Sequence, residues 1–258
     1  MKIKNTLKVL ARSRSLSFTA SHYAPFISGR IQEYRWRNHP VWYRPGTSDP
    51  SLIYNILLKS GMKGEYCPPP EFKTNPESVA TILDIGANIG VASLYFAELF
   101  PNAIIHAFEP APINQTLLER NASSVHRIKT HAVALGDADG DLVLYESDSP
   151  INLGGGSLHN LGVNPQKGVT VKARQTAGVL SEIGVTSVDI IKIDTEGAEW
   201  EILTSMNSEM LANVKLIMGE LHGRRDFELL NYLQPMFNIG MRKNIKSRLF
   251  NFYALKRD

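Results

Sequence analysis

A buried strand that runs directly into a glycine-rich turn and a helix constrains this sequence most. Residues 81–85 read T-I-L-D-I, and the turn G-A-N-I-G follows before an apolar helical segment over residues 90–100. Glycines at such a turn let a ligand approach the backbone closely, and the helix N-terminus presents free N–H donors. The segment therefore predicts a ligand-binding turn at the carboxyl end of a core strand.

The same alternation of strand and helix continues along the chain. It predicts strands over residues 103–109, 128–135, 188–194 and 215–221, and helices over residues 113–121, 177–183, 199–206 and 227–236. Repeated units of this kind form a parallel sheet with helices on both faces. Residues 237–241 and 249–255 predict a terminal hairpin that makes one strand antiparallel. Ligands of such sheets bind at the carboxyl ends of the strands.

The turn after the first core strand has the spacing D-x-G-x-N-x-G, formed by Asp84, Gly86, Asn88 and Gly90. It lacks the G-x-G-x-x-G spacing of dinucleotide-binding turns. Its acidic residue would repel a pyrophosphate and attract a cationic amino-acid group. Glu109 ends the next strand, where a carboxylate can accept hydrogen bonds from the two hydroxyls of a ribose.

Two further acidic groups follow the later strands. Asp194 and Glu196 lie in K-I-D-T-E-G-A-E, and Glu220 and His222 lie in G-E-L-H. His222 is either a general base, since its unperturbed pKa lies near neutrality, or a hydrogen-bonded structural residue. The four side chains are donor types that suit a divalent cation, but no ligand spacing requires one, and we expect no metal. The predicted catalytic residues are Asp194, Glu196 and His222.

Taken in order, these segments resemble the FkbM family of S-adenosylmethionine-dependent methyltransferases. The similarity covers residues 44–222 and rests on R-P-G-T-S-D (44–49), I-L-D-I-G-A-N-I-G (82–90), A-F-E-P (107–110), A-V-A-L-G-D (132–137), G-G-G-S-L (154–158), I-K-I-D-T-E-G-A-E (191–199) and G-E-L-H (219–222). The segment K-I-D-T-E-G-A-E is the most specific of them.

The resemblance implies a Rossmann-like class I methyltransferase fold, an α/β fold with a mostly parallel seven-stranded sheet and a C-terminal antiparallel hairpin. It implies that the glycine turn surrounds the methionine part of the cofactor, that Glu109 binds the ribose, and that Ala134 and Leu135 border the adenine. The implied cofactor-binding residues are Asp84, Gly86, Ala87, Asn88, Gly90, Glu109, Pro110, Ala134, Leu135 and Asp194. Family members commonly methylate hydroxyls of sugars or polyketide-type products, so the expected acceptor is a small molecule or a glycan.

The net charge of +3 hides an uneven distribution along the chain. Residues 1–48 carry nine basic residues and one acidic residue, whereas residues 49–240 carry 13 basic and 23 acidic residues. We therefore predict a basic N-terminal segment over residues 1–45 and a methyltransferase domain over residues 46–258. The acidic domain suits a cofactor with a sulfonium and an ammonium group, and the basic overall pI is no argument for a nucleic-acid partner.

The first 15 residues place Ile3, Leu7 and Leu10 at helical spacing among five basic side chains. This pattern predicts a short basic helix that is either solvated or in weak contact with an anionic membrane surface. No apolar core of a secretory signal follows it. The single cysteine, Cys67, excludes an internal disulfide. We expect a cytoplasmic protein, and the sequence assigns no oligomeric state.

Arg44 and Asp49 lie in a matching segment outside the predicted core strands. Asp49 is predicted to cap a helix over residues 51–59, with Pro50 at its first position. Arg44 either contacts an anionic acceptor or forms a structural ion pair. The sequence leaves both roles open.

Three other functions fit parts of the pattern. An oxidoreductase that uses a nicotinamide dinucleotide would share the sheet, but the turn lacks the required glycine spacing. A nucleic-acid methyltransferase would explain the basic N-terminal segment, where Y-R-W-R (34–37) interleaves aromatic and basic side chains. A non-catalytic module would keep the fold and bind a partner, and the intact acidic and glycine positions argue against it.

Overall fold

The computed structural model describes residues 2–23, 30–59, 64–147, 163–222, 225–243 and 250–257. The strands are β1 (Gln32–Trp36), β2 (His39–Tyr43), β3 (Thr81–Ile85), β4 (Ile104–Phe108), β5 (Ile128–His131), β6 (Ala134–Gly136), β7 (Gly140–Ser147), β8 (Val163–Gln175), β9 (Ile190–Ile193), β10 (Leu216–Leu221), β11 (Phe237–Lys243) and β12 (Phe250–Lys256). The α-helices are α1 (Lys2–Ser13), α2 (Leu16–Tyr23), α3 (Asp49–Ile53), α4 (Val91–Leu99), α5 (Pro112–Ala122), α6 (Thr176–Glu182), α7 (Glu199–Thr204), α8 (Ser208–Asn213) and α9 (Asp226–Leu233). The motif at residues 154–158 lies outside the described residues.

Seven strands form the main sheet in the order β11-β12-β10-β9-β3-β4-β5. Six of them run parallel, and β12 lies antiparallel between β10 and β11. All four residues of β9 are buried, as expected for a strand covered on both faces. The predicted mostly parallel sheet with a terminal antiparallel hairpin is confirmed.

The direction of chain progression reverses beside β3. The chain passes from β3 outward to β4 and β5, and later returns on the other side of β3 with β9 and β10. Apolar residues that alternate along these strands pack into a cluster on each face, with Ile82 and Ile190 in one and Leu83 and Ile191 in the other. The reversal leaves a crevice at the carboxyl ends of the central strands, the usual ligand position in open α/β sheets.

The prediction of one strand over residues 128–135 is wrong, because the chain forms two strands there, β5 and β6. β5 is the edge of the main sheet and ends at His131, whose carbonyl accepts a hydrogen bond from the Glu109 N–H at 3.1 Å. Among the described residues no strand lies beyond this edge, and β6 leaves the sheet to pair with β8 in a separate three-stranded sheet. Ala134 and Leu135 therefore approach the crevice from the side.

The N-terminal segment packs on the main domain. Phe18, Tyr34 and Val41 are buried in the same apolar cluster as Ile82 of β3. Asn121 of α5 is fully buried and joins the segment to the domain, since its side chain bonds both backbone groups of Trp42. The basic segment thus shares a core with the main domain, while the predicted boundary near residue 45 stays a prediction.

The helix predicted at the N-terminus is α1. Its Val9 is 2% exposed and faces the domain, whereas Leu7 is 59% exposed on the outer side. Contact of this outer side with a membrane surface stays a prediction. Within the described part of the chain, every helix is too short or too polar to cross a bilayer.

The helix after the R-P-G-T-S-D segment begins earlier than predicted, and Asp49 does not cap it. Asp49 is the first residue of α3, and Ser48 occupies the capping position without a side-chain hydrogen bond. The Asp49 carboxylate instead accepts three hydrogen bonds from Arg44. Charge pairing with a guanidinium outweighs capping of one backbone N–H, since charge-assisted bidentate bonds are the stronger.

Candidate active site

One cavity of about 500 Å³ lies at the carboxyl ends of β3, β4, β9 and β10. Nine of the predicted site residues lie on its wall: Gly86, Ala87, Asn88, Glu109, Pro110, Ala134, Leu135, Asp194 and Glu196. Three other predicted residues, Asp84, Gly90 and His222, lie outside the residues that line it. The fold thus brings segments more than 100 residues apart in sequence to one cavity.

The glycine turn is held in a conformation that its sequence permits. Gly86, Asn88 and Gly90 all have positive φ, at +75°, +51° and +82°. The N–H groups of Gly86 and Ala87 both donate to the carbonyl of Phe108 on β4, at 3.0 and 2.9 Å. A Cβ atom on Gly86 would lie 1.9 Å from the Asp194 carbonyl oxygen, so only glycine fits between β3 and β9 at this point.

We expect Gly86→Ala to destabilise the protein by roughly 3 kcal/mol or more, because it adds a backbone clash to an unfavourable φ. Gly184 is a matched control, since its φ is +73° and a Cβ atom added to it would meet no atom of the described residues within 4 Å. Gly184→Ala should cost only about 1–2 kcal/mol, the cost of a left-handed non-glycine residue. Urea unfolding measures both, and equal losses would contradict the tight approach of the two strands at Gly86.

Asp84 lies behind the turn and is fully buried. Its carboxylate accepts a hydrogen bond from the Ser93 hydroxyl at 2.6 Å and pairs with the Lys192 ammonium at 3.2 Å. Lys192 also donates to the Gly86 carbonyl at 2.6 Å and lies on the cavity wall. Burial alone would lower the pKa of Lys192, but the charges of Asp84 and Asp194 outweigh it and raise that pKa. Asp84 therefore supports the turn through Lys192.

Glu109 is a buried carboxylate on the cavity wall, 6% exposed. It accepts hydrogen bonds from the Asn88 N–H at 2.8 Å, the Ala111 N–H at 3.0 Å and the Asn114 side-chain amide at 3.4 Å. Burial raises the pKa of Glu109, and the three donors counteract that rise. Because a carboxylate has about four acceptor positions, Glu109 retains capacity for a hydroxyl donor from the cavity.

The second acidic group surrounds His222. The His222 Nδ1 lies 3.0 Å from a Glu199 carboxylate oxygen, and its Nε2 lies 3.5 Å from carboxylate oxygens of both Asp194 and Glu196. Burial would lower the pKa of His222, but the hydrogen bond with Glu199 and the neighbouring negative charges raise it to about 9. With this pKa His222 is an imidazolium at neutral pH, which hydrogen-bonds Glu199 through Nδ1 and forms ion pairs with Asp194 and Glu196 through Nε2.

Glu196 combines an unusual backbone with a raised pKa. Its φ is +57°, in the left-handed region that a glutamate seldom adopts, and Gly197 follows at +114°. Burial raises the pKa of Glu196 to about 7, with a further rise from Asp194 and Glu220 and an opposing effect from His222. The side chain is 39% exposed and lies on the cavity wall. Strained residues of this kind are concentrated at functional sites.

Two residues of the cavity wall, Glu65 and Tyr66, were not predicted from the sequence. The Tyr66 hydroxyl donates to Asp194 at 2.8 Å, across 128 residues of sequence. Glu65 lies beside Glu220, and burial together with the charges of Glu220 and Asp194 raises the pKa of Glu65 to about 8. The two residues follow no periodic pattern and precede a run of three prolines, so no local signal indicates that they reach the site.

Three side chains of this region lie close enough together to bind a cation. Asp194, Glu220 and His222 offer side-chain atoms that all lie within 4.8 Å of one another. His222 already contacts carboxylates through both of its ring nitrogens, and the sequence shows no metal-ligand spacing. We assign no metal to these residues.

The order of the strands, with one antiparallel strand, is that of a Rossmann-like class I methyltransferase fold. The cavity lies between the glycine turn, the buried carboxylate at the end of β4 and the acidic residues around His222, where this fold binds its ligands. Residues 84–252 match the methyltransferase FkbM domain. The chain belongs to this family, and the family predicted from the motifs is confirmed.

Similarity to curated proteins covers rather more than half of the chain. The chain is 30% identical over 181 residues to the AMB antimetabolite synthetase AmbE of Pseudomonas aeruginosa, covering 57% of the chain and 8% of that protein. It is 26% identical to the 2-O-methyltransferase NoeI of Sinorhizobium fredii, covering 57% and 65%, and 25% identical to the 31-O-demethyl-FK506 methyltransferase FkbM of Streptomyces tacrolimicus, covering 55% and 65%. The chain spans less than two thirds of the length of each of these relatives.

Proposed function

We propose that this protein transfers a methyl group from S-adenosylmethionine to a hydroxyl oxygen of a sugar or another hydroxylated small molecule. The observation that carries the proposal is the cavity on whose wall Gly86, Glu109, Asp194 and Glu196 all lie. Its volume of about 500 Å³ is in the ordinary range for a site that encloses a small ligand. Two relatives named as O-methyltransferases, NoeI and FkbM, support oxygen as the acceptor atom.

The cavity wall fits the chemical groups of S-adenosylmethionine. Glu109 has acceptor capacity for a ribose hydroxyl, and the apolar residues Ala134 and Leu135 offer a surface for the adenine. The side-chain carbonyl of Asn88 is buried without a hydrogen-bond partner among the described residues. A donor such as the ammonium group of the cofactor would satisfy it, because a buried acceptor left unpaired is costly.

The acceptor would lie at the acidic end of the cavity, beside Glu196. When bound, S-adenosylmethionine supplies a methyl group on a positively charged sulfur, and that group is transferred to the acceptor oxygen. Glu196 takes the hydroxyl proton as the oxygen attacks, since a base with a pKa near 7 is partly ionised and still basic at neutral pH. His222 would stay protonated and pair with Asp194 and Glu196, and the cavity wall would hold the cofactor and the acceptor close to each other.

The charge of this end of the cavity disfavours a polyanionic acceptor. Asp194, Glu196 and Glu220 all lie on its wall. Arg44, the residue considered for an anionic acceptor, is paired with Asp49 through two side-chain hydrogen bonds. A nucleic-acid backbone would therefore be repelled here, whereas hydroxyl groups can donate to the carboxylates.

Incubation of the protein with S-adenosylmethionine labelled in its methyl group tests the proposal directly. The panel of acceptors contains monosaccharides, oligosaccharides, small hydroxylated metabolites and an RNA transcript. We expect label to enter at least one hydroxylated compound as a methyl ether and none to enter the RNA. Label found on RNA, or on nitrogen or carbon of the acceptor, would contradict the proposed class of acceptor.

We expect the turnover rate to rise as the pH increases through about 7 and to fall again above about 9, because these are the pKa values of Glu196 and His222. The rise follows loss of the Glu196 proton. The fall follows loss of the His222 charge, which Asp194, Glu199, Glu196 and Glu220 all face. Initial rates across this range test the profile, and His222→Gln should abolish the upper limb. A wild-type rate independent of pH would contradict Glu196 as the base.

A further inference from the structure

Arg44 precedes residues 84–252, which match the FkbM domain, but hydrogen bonds hold it beside the cavity. Its Nε and Nη2 donate to the two oxygens of Asp49 at 2.8 and 2.9 Å, and its backbone N–H donates to the same carboxylate at 2.9 Å. The Asp49 side chain is fully buried, and that of Arg44 is 13% exposed. A bidentate pair of this kind fixes the plane of the guanidinium.

The guanidinium makes a second contact that reaches the cavity wall. Its Nη2 also donates to the side-chain carbonyl of Asn114 at 2.9 Å, and the Asn114 amide nitrogen donates to Glu109 at 3.4 Å. Arginine can only donate and an ionised carboxylate can only accept. The amide between them therefore has one favourable orientation, since a flipped Asn114 would point its NH₂ at Arg44 and its carbonyl at Glu109. Arg44 thus reinforces the orientation in which the NH₂ group of Asn114 faces Glu109.

The orientation of Asn114 matters because Glu109 is held by few groups. Its other donors among the described residues are the backbone N–H groups of Asn88 and Ala111. Asn114 contributes the side-chain donor of the set, and both Asn114 and Glu109 lie on the cavity wall. Ser48, from the same segment as Arg44, also lines the cavity, and its buried hydroxyl has no hydrogen-bond partner in the described part of the chain.

We propose that Arg44 is a positioning residue for cofactor binding, which acts through Asn114 to hold the Glu109 carboxylate ready for a ribose hydroxyl. The segment of residues 44–49 then contributes to cofactor binding through Arg44 and also connects two parts of the fold. This inference rests on the proposed use of S-adenosylmethionine. It assigns Arg44 no contact with the acceptor and no part in proton transfer.

A double-mutant cycle on the full chain tests the proposal, with S-adenosylhomocysteine as the ligand and calorimetric titration as the measurement. We expect Arg44→Gln to weaken binding about tenfold, the size of one lost hydrogen bond to a charged group. In a Glu109→Gln background the same change should have little further effect, because its route to the ligand is already broken. An analogue without the ribose hydroxyls should bind the wild type and Arg44→Gln equally.

Two further variants separate positioning from general stability. Arg127→Gln removes an arginine that donates to three backbone carbonyls at the far end of β4 and β5, so it should lower the melting temperature and leave affinity unchanged. Asn114→Leu keeps the Arg44–Asp49 pair and should reproduce the loss of affinity even if Arg44→Gln does not fold. Additive losses from Arg44→Gln and Glu109→Gln would overturn this inference alone. Absence of binding to the wild-type protein would overturn the proposed function and this inference with it.

Discussion

Glu196→Gln should reduce the turnover number by about 10²–10⁴-fold, the usual contribution of a positioned general base. Glutamine keeps the size of the side chain and its left-handed backbone, but it cannot take a proton from the acceptor hydroxyl. Initial rates at saturating acceptor and cofactor measure the loss. Affinity for S-adenosylhomocysteine should change little, because the substitution removes a group needed in the transition state.

Glu201→Gln is the matched control for this variant. Glu201 lies five residues further along the same segment and is 35% exposed beside Arg225, outside the cavity wall. Its substitution should leave turnover unchanged. If Glu196→Gln and His222→Ala both retained wild-type turnover, neither residue could be the base, and Asp194 alone among the predicted catalytic residues would remain.

Lys192→Met should lower the free energy of unfolding by about 3–5 kcal/mol, the cost of leaving a buried charge without its partner. The substitution removes the cation from Asp84, which is fully buried and otherwise bonded to Ser93. It also removes the donor to the Gly86 carbonyl, so affinity for S-adenosylhomocysteine should fall as well. Urea unfolding monitored by circular dichroism measures the stability.

A second lysine supplies the control, and a double variant tests the cause. Lys215 pairs with Asp189 at 2.7 Å but is 37% exposed, so Lys215→Met should cost no more than about 1 kcal/mol. The double variant Asp84→Leu, Lys192→Met should recover much of the stability lost in Lys192→Met, because it leaves no unpaired buried charge. A double variant less stable than Lys192→Met would show that the ion pair is not the source of the effect.

The sequence predicted the fold, and nine of its twelve predicted site residues lie on the cavity wall, because these features depend on local patterns. A buried strand followed by a glycine turn and a helix places the turn at the carboxyl end of the sheet, and Gly86, Glu109 and Asp194 all lie there. The antiparallel hairpin also followed from local alternation. The carboxyl ends of parallel strands lie at the same edge of the sheet. Motifs that follow these strands therefore come together in one site.

Features that depend on distant partners were not predictable in this way. Asp84, which was predicted to bind the cofactor, is fully buried behind the glycine turn and pairs with Lys192 of β9. Glu65 and Tyr66 reach the site through contacts with Asp194 and Glu220, far along the chain. The raised pKa of His222 likewise depends on the carboxylates of residues 194–199, which precede it by more than 20 residues. These facts require the packed structure.

Titration of the purified wild-type protein with S-adenosylhomocysteine tests the central claim most directly. We predict saturable binding at one site, a loss of about tenfold or more in affinity in Glu109→Gln, and no binding of a nicotinamide dinucleotide. Thermal unfolding should show the same ligand preference, since a ligand that binds the native state raises its melting temperature. Failure of the wild-type protein to bind S-adenosylhomocysteine, or preferential binding of the dinucleotide, would contradict the proposed cofactor.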